Sequence, residues 1–275
     1  MTNARIESTT LSNGVKMPWF GLGVWKVKDD GEAERTVTSA IEEGYRLIDT
    51  AAAYNNETGV GAGIRNSGIP RDEIFITTKI WNAHQGYESS LTAFEDSRRK
   101  LGVEVVDLLL IHWPVKDKYT ETWRALEKLY RDGYVRAIGV SNFQVHHLQD
   151  VISSGEIVPM VNQVEYHPLL TQQQLHAFAK SNNIQLMAWS PLMQGNLDQS
   201  ILSDIGAKYG KSPAQIVLRW DLQNEVVTIP KSINPVRLKE NADIFDFALT
   251  AEEVAQISAL NRDHRFGPDP DNFNF

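Results

Sequence analysis

Asp49, Lys79, His112, Ser141 with Asn142, Asn162 with Gln163 and Glu165, Trp189 with Ser190, and Lys231 with Ser232 all stand where a short aliphatic run ends. If those runs are parallel strands, nearly every strand delivers a polar or aromatic group to one rim. Barrel enzymes carry their chemistry on the rim made by the C-terminal strand ends. Taken singly, a lysine at a strand end is ordinarily solvated, and an aspartate before a loop ordinarily caps the next turn. Recurrence from strand to strand is not what isolated surface residues give.

Other chemistries lack their residues. The chain has no cysteine, so a disulfide framework and a thiolate metal site are both excluded. His146 and His147 open a helix and are expected to point in different directions, His176 lies on a helix, and no H-E-x-x-H or H-x-H occurs, so no metal is expected. Neither Gly21-x-Gly23 nor Gly59-x-Gly61-x-Gly63 completes G-x-G-x-x-G, and Gly206 to Ser212 is one residue short of a P-loop and follows a helix. Ser141, in Gly-Val-Ser-Asn-Phe, lacks the second glycine of a nucleophile elbow. A net charge of -8 argues against a nucleic-acid partner. No window approaches the ~20 apolar residues of a membrane span, and Met1 to Thr10 do not read as a secretion signal. A cytoplasmic monomer acting on a small molecule, with no membrane partner, is expected.

The elements that must position these residues alternate. Strands are predicted at Trp19 to Gly23, Leu47 to Asp49, Ile74 to Lys79, Val106 to His112, Val135 to Ser141, Met160 to Val164, Gln185 to Trp189 and Val226 to Ile229. Between them the apolar spacing gives helices at about 32–43, 57–66, 89–101, 120–131, 144–153, 171–182, 213–223 and 251–260, with shorter ones near 200–208 and 235–243. Thr171 with Gln174 and Thr250 with Glu253 form capping-box patterns, and Ser212 precedes an N1 proline. Eight βα units in one chain predict an α/β fold, a (β/α)8 TIM barrel, as a single domain over residues 1–275. Ile6 to Leu11 and Val15 to Met17, joined through Asn13-Gly14, read as an N-terminal β-hairpin with a type I′ turn closing the barrel bottom. Gly267 to Phe275 reads as an irregular C-terminal tail that either drapes over the barrel mouth or frays. Trp19, Trp123 and Trp220 sit in apolar patterns and read as core.

Asp49-Thr-Ala-Ala-Ala-Tyr54-Asn-Asn-Glu57, Thr78-Lys79, Leu110-Ile-His112-Trp-Pro, Gly139-Val-Ser-Asn-Phe143, Asn162-Gln-Val-Glu-Tyr-His-Pro168 and Ile229-Pro-Lys-Ser232 resemble the signatures of the aldo-keto reductases across the whole chain. Ala188-Trp-Ser-Pro-Leu192 and the ending Gly-Pro-Asp-Pro-Asp-Asn-Phe resemble the bacterial glyoxal and 2,5-diketo-D-gluconate reductase type. The resemblance implies NADPH-dependent reduction of aldehydes or ketones by a tetrad of Asp49, Tyr54, Lys79 and His112. A carbonyl that accepts hydride becomes an alkoxide and needs a proton donor, here Tyr54. Lys79 would lower the phenol's pKa, Asp49 would hold Lys79, and His112 would orient the substrate oxygen. By the same resemblance Ser141, Asn142 and Gln163 bind the nicotinamide carboxamide, Trp189 stacks on its ring, and Ser190 and Leu192 join the cofactor site. Lys231, Ser232 and Arg237 suit a 2′-phosphate, which favours NADPH, and Glu240 and Asn241 lie by the adenine. Trp25, Trp81 and Trp113 follow strands and are expected to wall the substrate pocket. A non-catalytic NADPH-binding barrel of the same fold is the alternative.

Overall fold

The computed structural model describes residues 7–275. It opens on an antiparallel pair, β1 (Ser8–Thr10) and β2 (Lys16–Pro18). Then come β3 (Leu22–Gly23), β4 (Leu47–Asp49), β5 (Phe75–Ile80), β6 (Val106–Ile111), β7 (Val135–Ser141), β8 (Val161–Glu165), β9 (Gln185–Trp189) and β10 (Val227–Thr228), parallel and paired in sequence order. A bridge from Phe20 to Thr228 joins the first strand to the last, and the sheet closes into the expected (β/α)8 barrel. Between the strands run α1 (Glu32–Glu42), α2 (Glu57–Asn66), α3 (Tyr87–Leu101), α4 (Tyr119–Arg131), α5 (Val145–Ser154), α6 (Gln173–Ser181), α7 (Ser200–Tyr209) and α8 (Pro213–Gln223). After β10 follow α9 (Pro235–Ala242) and α10 (Ala251–Ser258). Every residue of β5 and β6 is buried, as strands covered on both faces must be.

The first and last strands are shorter than predicted for a steric reason. A Cβ on Gly21 would meet the Leu47 side chain at 2.5 Å, and one on Gly23 would meet the Ile229 carbonyl at 2.9 Å. These glycines let the seam close, and Pro230, without an N–H, ends the β10 ladder. Ser212 and Thr250 cap α8 and α10 in full capping boxes. The predicted Thr171–Gln174 box does not form. Gln172 takes a left-handed backbone (φ 45°) and turns its side chain back to the Glu165 carbonyl, so α6 starts at Gln173.

The hairpin keeps its expected place but not its turn. Of the two central residues only Gly14 has positive φ, with Gly14 N–H donating to Leu11 O and Leu11 N–H to Val15 O. This is a type I turn with a glycine bulge, not type I′. Thr9 bonds Gln185 and Asn13 bonds the Arg136 carbonyl, both near strand starts, so the hairpin lies across the barrel bottom. Ile6, its predicted first residue, lies outside the described residues. Also at the strand-start end, buried Asp107 accepts from Arg71, Arg136 and the Ile76 N–H, tying β5, β6 and β7.

The tail crosses the opposite end. Phe266 and Gly267 N–H donate to Glu165, Asp271 pairs with His146 at 2.8 Å, and Phe275 stacks parallel to Trp81.

Candidate active site

Four strand ends and one helical turn build the centre of the site. Asp49 ends β4, Lys79 lies in β5, His112 follows β6 and Gln163 lies in β8. Tyr54 comes from a 3₁₀ turn at Ala52–Tyr54 that begins three residues after β4. Lys79 has no exposed side-chain area. Its Nζ donates to Asp49 Oδ1 at 2.6 Å and to the Thr50 carbonyl at 2.9 Å, and lies 3.4 Å from the Tyr54 hydroxyl. Gln163 Nε2 donates to the other Asp49 oxygen at 2.6 Å and to Met187 Sδ. A buried cation and carboxylate are tolerable only with their hydrogen bonds filled this way.

The electrostatics follow from burial and from that pair. Burial alone would pull Lys79 down, but Asp49 and Tyr54 outweigh it and hold the amine above its ordinary value as an ammonium. For Tyr54 burial is the larger effect: it raises the phenol although Lys79 pulls the other way. The expectation that Lys79 brings the phenol below its ordinary value is therefore corrected. The ammonium offsets desolvation, and Tyr54 keeps its proton through neutral pH. His112 is driven well below the usual histidine range, first by burial and then by Lys79, so its imidazole is neutral. Its Nδ1 is buried with no partner. An orphaned acceptor is tolerated better than an orphaned N–H, which places the proton on Nε2.

Asn142 joins the pieces. Its backbone is left-handed (φ 64°), Nδ2 donates to the His112 carbonyl at 3.0 Å and to Ser141 Oγ at 3.2 Å, and Oδ1 accepts from Trp189 Nε1 at 2.8 Å. These groups face a cavity of about 650 Å³ lined by Asp49, Tyr54, His112, Ser141, Asn142, Gln163, Trp189, Ser190 and Lys231 and by all three predicted wall tryptophans, Trp25, Trp81 and Trp113. Lys79 stands behind them, fully buried. Leu192, Ser232, Arg237, Glu240 and Asn241 are not among the lining residues. Lys231 and Arg237 are exposed, and neither forms an ion pair among the described residues. Ser232 is bound within its own turn to Asn234. Glu240 is turned toward the α8 cap, where it accepts from Ser212 Oγ.

Sequence reading missed the tail residues Phe266, Gly267, Pro268 and Phe275, which also line the cavity. No local pattern marks a segment that reaches the mouth from far along the chain. It missed Gln194 as well, which lies in a turn where Ser190, Met193 and Gln194 all have positive φ. His146 and His147, expected to diverge, instead converge on Asp271 with ring centroids 3.9 Å apart. His147 Nδ1 accepts the Gln144 N–H of the α5 capping box, so its Nε2 carries the proton and faces Asp271 as a donor. That tautomer is the wrong one for a metal ligand at Nε2.

The aldo/keto reductase family model matches residues 19–262. The chain belongs to this family. As a member it is an oxidoreductase acting on carbonyl groups. It is 60% identical over 270 residues to the glyoxal reductase of Bacillus subtilis, covering 98% of each chain. It is 46% identical to the methylglyoxal reductase DkgA of Escherichia coli, covering 96% of each. The solved structure of a Gox0644 mutant in complex with NADPH superposes with a TM-score of 0.93 at 44% identity over 98% of both chains.

Proposed function

We propose that this reductase converts small dicarbonyls such as glyoxal and methylglyoxal, or keto sugars, to alcohols with NADPH, as a cytoplasmic monomer of one barrel domain over residues 1–275. The observation that carries the reading is the fully buried Lys79, bonded to Asp49 and within 3.4 Å of the Tyr54 hydroxyl at the cavity floor. A barrel that only held a nucleotide has no use for an ion pair behind a phenol.

The cavity's unspent polar groups fit the cofactor. Gln163 has given its Nε2 to Asp49 and Met187, and its Oε1, which accepts no bond among the described residues, is left as an acceptor for a carboxamide NH2. Trp189 offers a flat face beside it. Lys231 and Arg237, without an ion pair among the described residues, suit a 2′-phosphate. NADPH when bound supplies the hydride, which no side chain can. The protein does the rest. His112 donates from Nε2 to the substrate oxygen and orients it. Tyr54 gives its proton to the oxygen as negative charge grows there, and Lys79 stabilises the phenolate left behind. Asp49, held by Gln163, keeps Lys79 in register. The tryptophans Trp25, Trp81 and Trp113 limit water at the mouth.

NADPH consumption with methylglyoxal in the presence of EDTA tests the reading. Turnover unaffected by the chelator supports it, and failure across a broad carbonyl panel despite NADPH binding contradicts it. Lys231→Ala or Arg237→Ala should raise the KM for NADPH far more than for NADH. Equal effects on both would remove the phosphate assignment.

A further inference from the structure

Glu165 ends β8 two residues beyond Gln163, and proton transfer makes no use of it. Its side chain is fully buried, as is that of His167 beside it. Oε1 accepts the Phe266 N–H at 2.7 Å and lies 3.0 Å from His167 Nε2, while Oε2 accepts the Gly267 N–H at 3.2 Å. A buried carboxylate demands such donors, and here most of them belong to the tail. The rest of the tail is held elsewhere, by Asn82 on the Phe275 carbonyl, by Trp81 on the Phe275 ring and by His146 on Asp271. Glu165 therefore governs the stretch around Gly267 in particular.

That stretch touches Trp189. A Cβ at Gly267 would stand 2.3 Å from Trp189 Cη2 and 3.0 Å from Cζ3, so the tail backbone lies directly against the six-membered edge of the indole. The opposite edge is tied through Nε1 to Asn142 Oδ1 at 2.8 Å. A ring gripped at both edges has its tilt fixed. Gly267 is not in the left-handed region, so alanine there adds a methyl group without backbone strain.

We propose that Glu165 is a positioning residue for the cofactor ring: by holding Phe266 and Gly267 it sets the tail against Trp189, and glycine at 267 is the spacer that fixes the tilt of the indole. The inference rests on the reading that Trp189 stacks on the nicotinamide. Gly267→Ala pushes the indole edge away and turns its face, and a phenol ring, shorter at that edge, relieves the clash.

NADPH affinity, measured by fluorescence titration without substrate, tests this together with thermal melting of each variant. Gly267→Ala weakens NADPH by about tenfold with little change in melting temperature, and Trp189→Tyr in the same chain regains most of the loss. Glu165→Gln weakens NADPH in the same direction, and its effect does not add to that of Gly267→Ala, because both act through one contact. Trp189→Ala is the control. If it weakens NADPH while Gly267→Ala does not, or if Trp189→Tyr fails to rescue, the positioning inference is overturned and the stacking reading survives. If Trp189→Ala leaves affinity unchanged, the stacking reading falls and the inference with it.

Discussion

At the scale of single residues, the site works by opposing burial with one charge. Tyr54 is half-buried, and the desolvation that comes with it raises its pKa; Lys79 opposes the rise without reversing it, so the phenol stays protonated through neutral pH. His112 is neutral because burial and Lys79 both depress it. The sign of the pH dependence follows. A histidine held well below its ordinary value of about 6.5 does not change charge there, so kcat/KM for a carbonyl should cross that region without a step. Above that region the rate should fall on the alkaline side, as the raised Tyr54 loses its proton. A titration step at about 6.5 that disappears in His112→Gln would contradict the neutral assignment. Lys79, Asp49 and His112 were legible in the sequence as strand-end groups. Tyr54 was legible only by resemblance, since it sits in a short turn that no periodicity marks. The direction of its pKa was not legible at all, because burial depends on what packs around it.

At the scale of elements, the two ends of the barrel divide the labour. The strand ends that carry chemistry hold Asp49, Lys79, His112 and Gln163, whereas the end that begins the strands holds the structural ion cluster around Asp107. Asp107 is buried and receives two arginines and a backbone N–H, with Arg71 at 2.6 Å and Arg136 at 2.7 Å. Removing it leaves the Ile76 N–H unpaired and takes one acceptor from each of two part-exposed guanidiniums. Asp107→Ala should destabilise the fold by about 1–3 kcal/mol, read as a lower denaturant midpoint, while NADPH affinity in the folded protein is unchanged. A loss of affinity without a loss of stability would contradict this division. The alternation of strands and helices was legible because each period is strong over a whole element. What was not legible lies at element ends. Gln172 prefers the Glu165 carbonyl to a helical start, which defeats the Thr171 box, and Gly14 alone takes the positive φ that a type I′ turn requires of two residues.

At the scale of the molecule, the tail and Lys231 meet at the same mouth. Lys231 lines the cavity and Arg237 stands outside its lining, and neither forms an ion pair among the described residues, although the chain carries a net charge of -8. The tail adds Phe266, Gly267, Pro268 and Phe275 to the cavity wall. The sequence leaves a tail over the mouth and a frayed tail both open, because the choice depends on Glu165 and His146 meeting groups a hundred or more residues further along. No helix among the described residues is long and apolar enough to cross a membrane. On the proposed reading, Tyr54, backed by Lys79 and Asp49, protonates a carbonyl as it is reduced. The most direct test of that role is the initial rate of NADPH oxidation with methylglyoxal, EDTA present, for the wild type and Tyr54→Phe, alongside NADPH affinity for both. Tyr54→Phe should bind NADPH as the wild type does and lose on the order of 10²–10⁴ in rate. A Tyr54→Phe variant that turns over as fast as the wild type would contradict it.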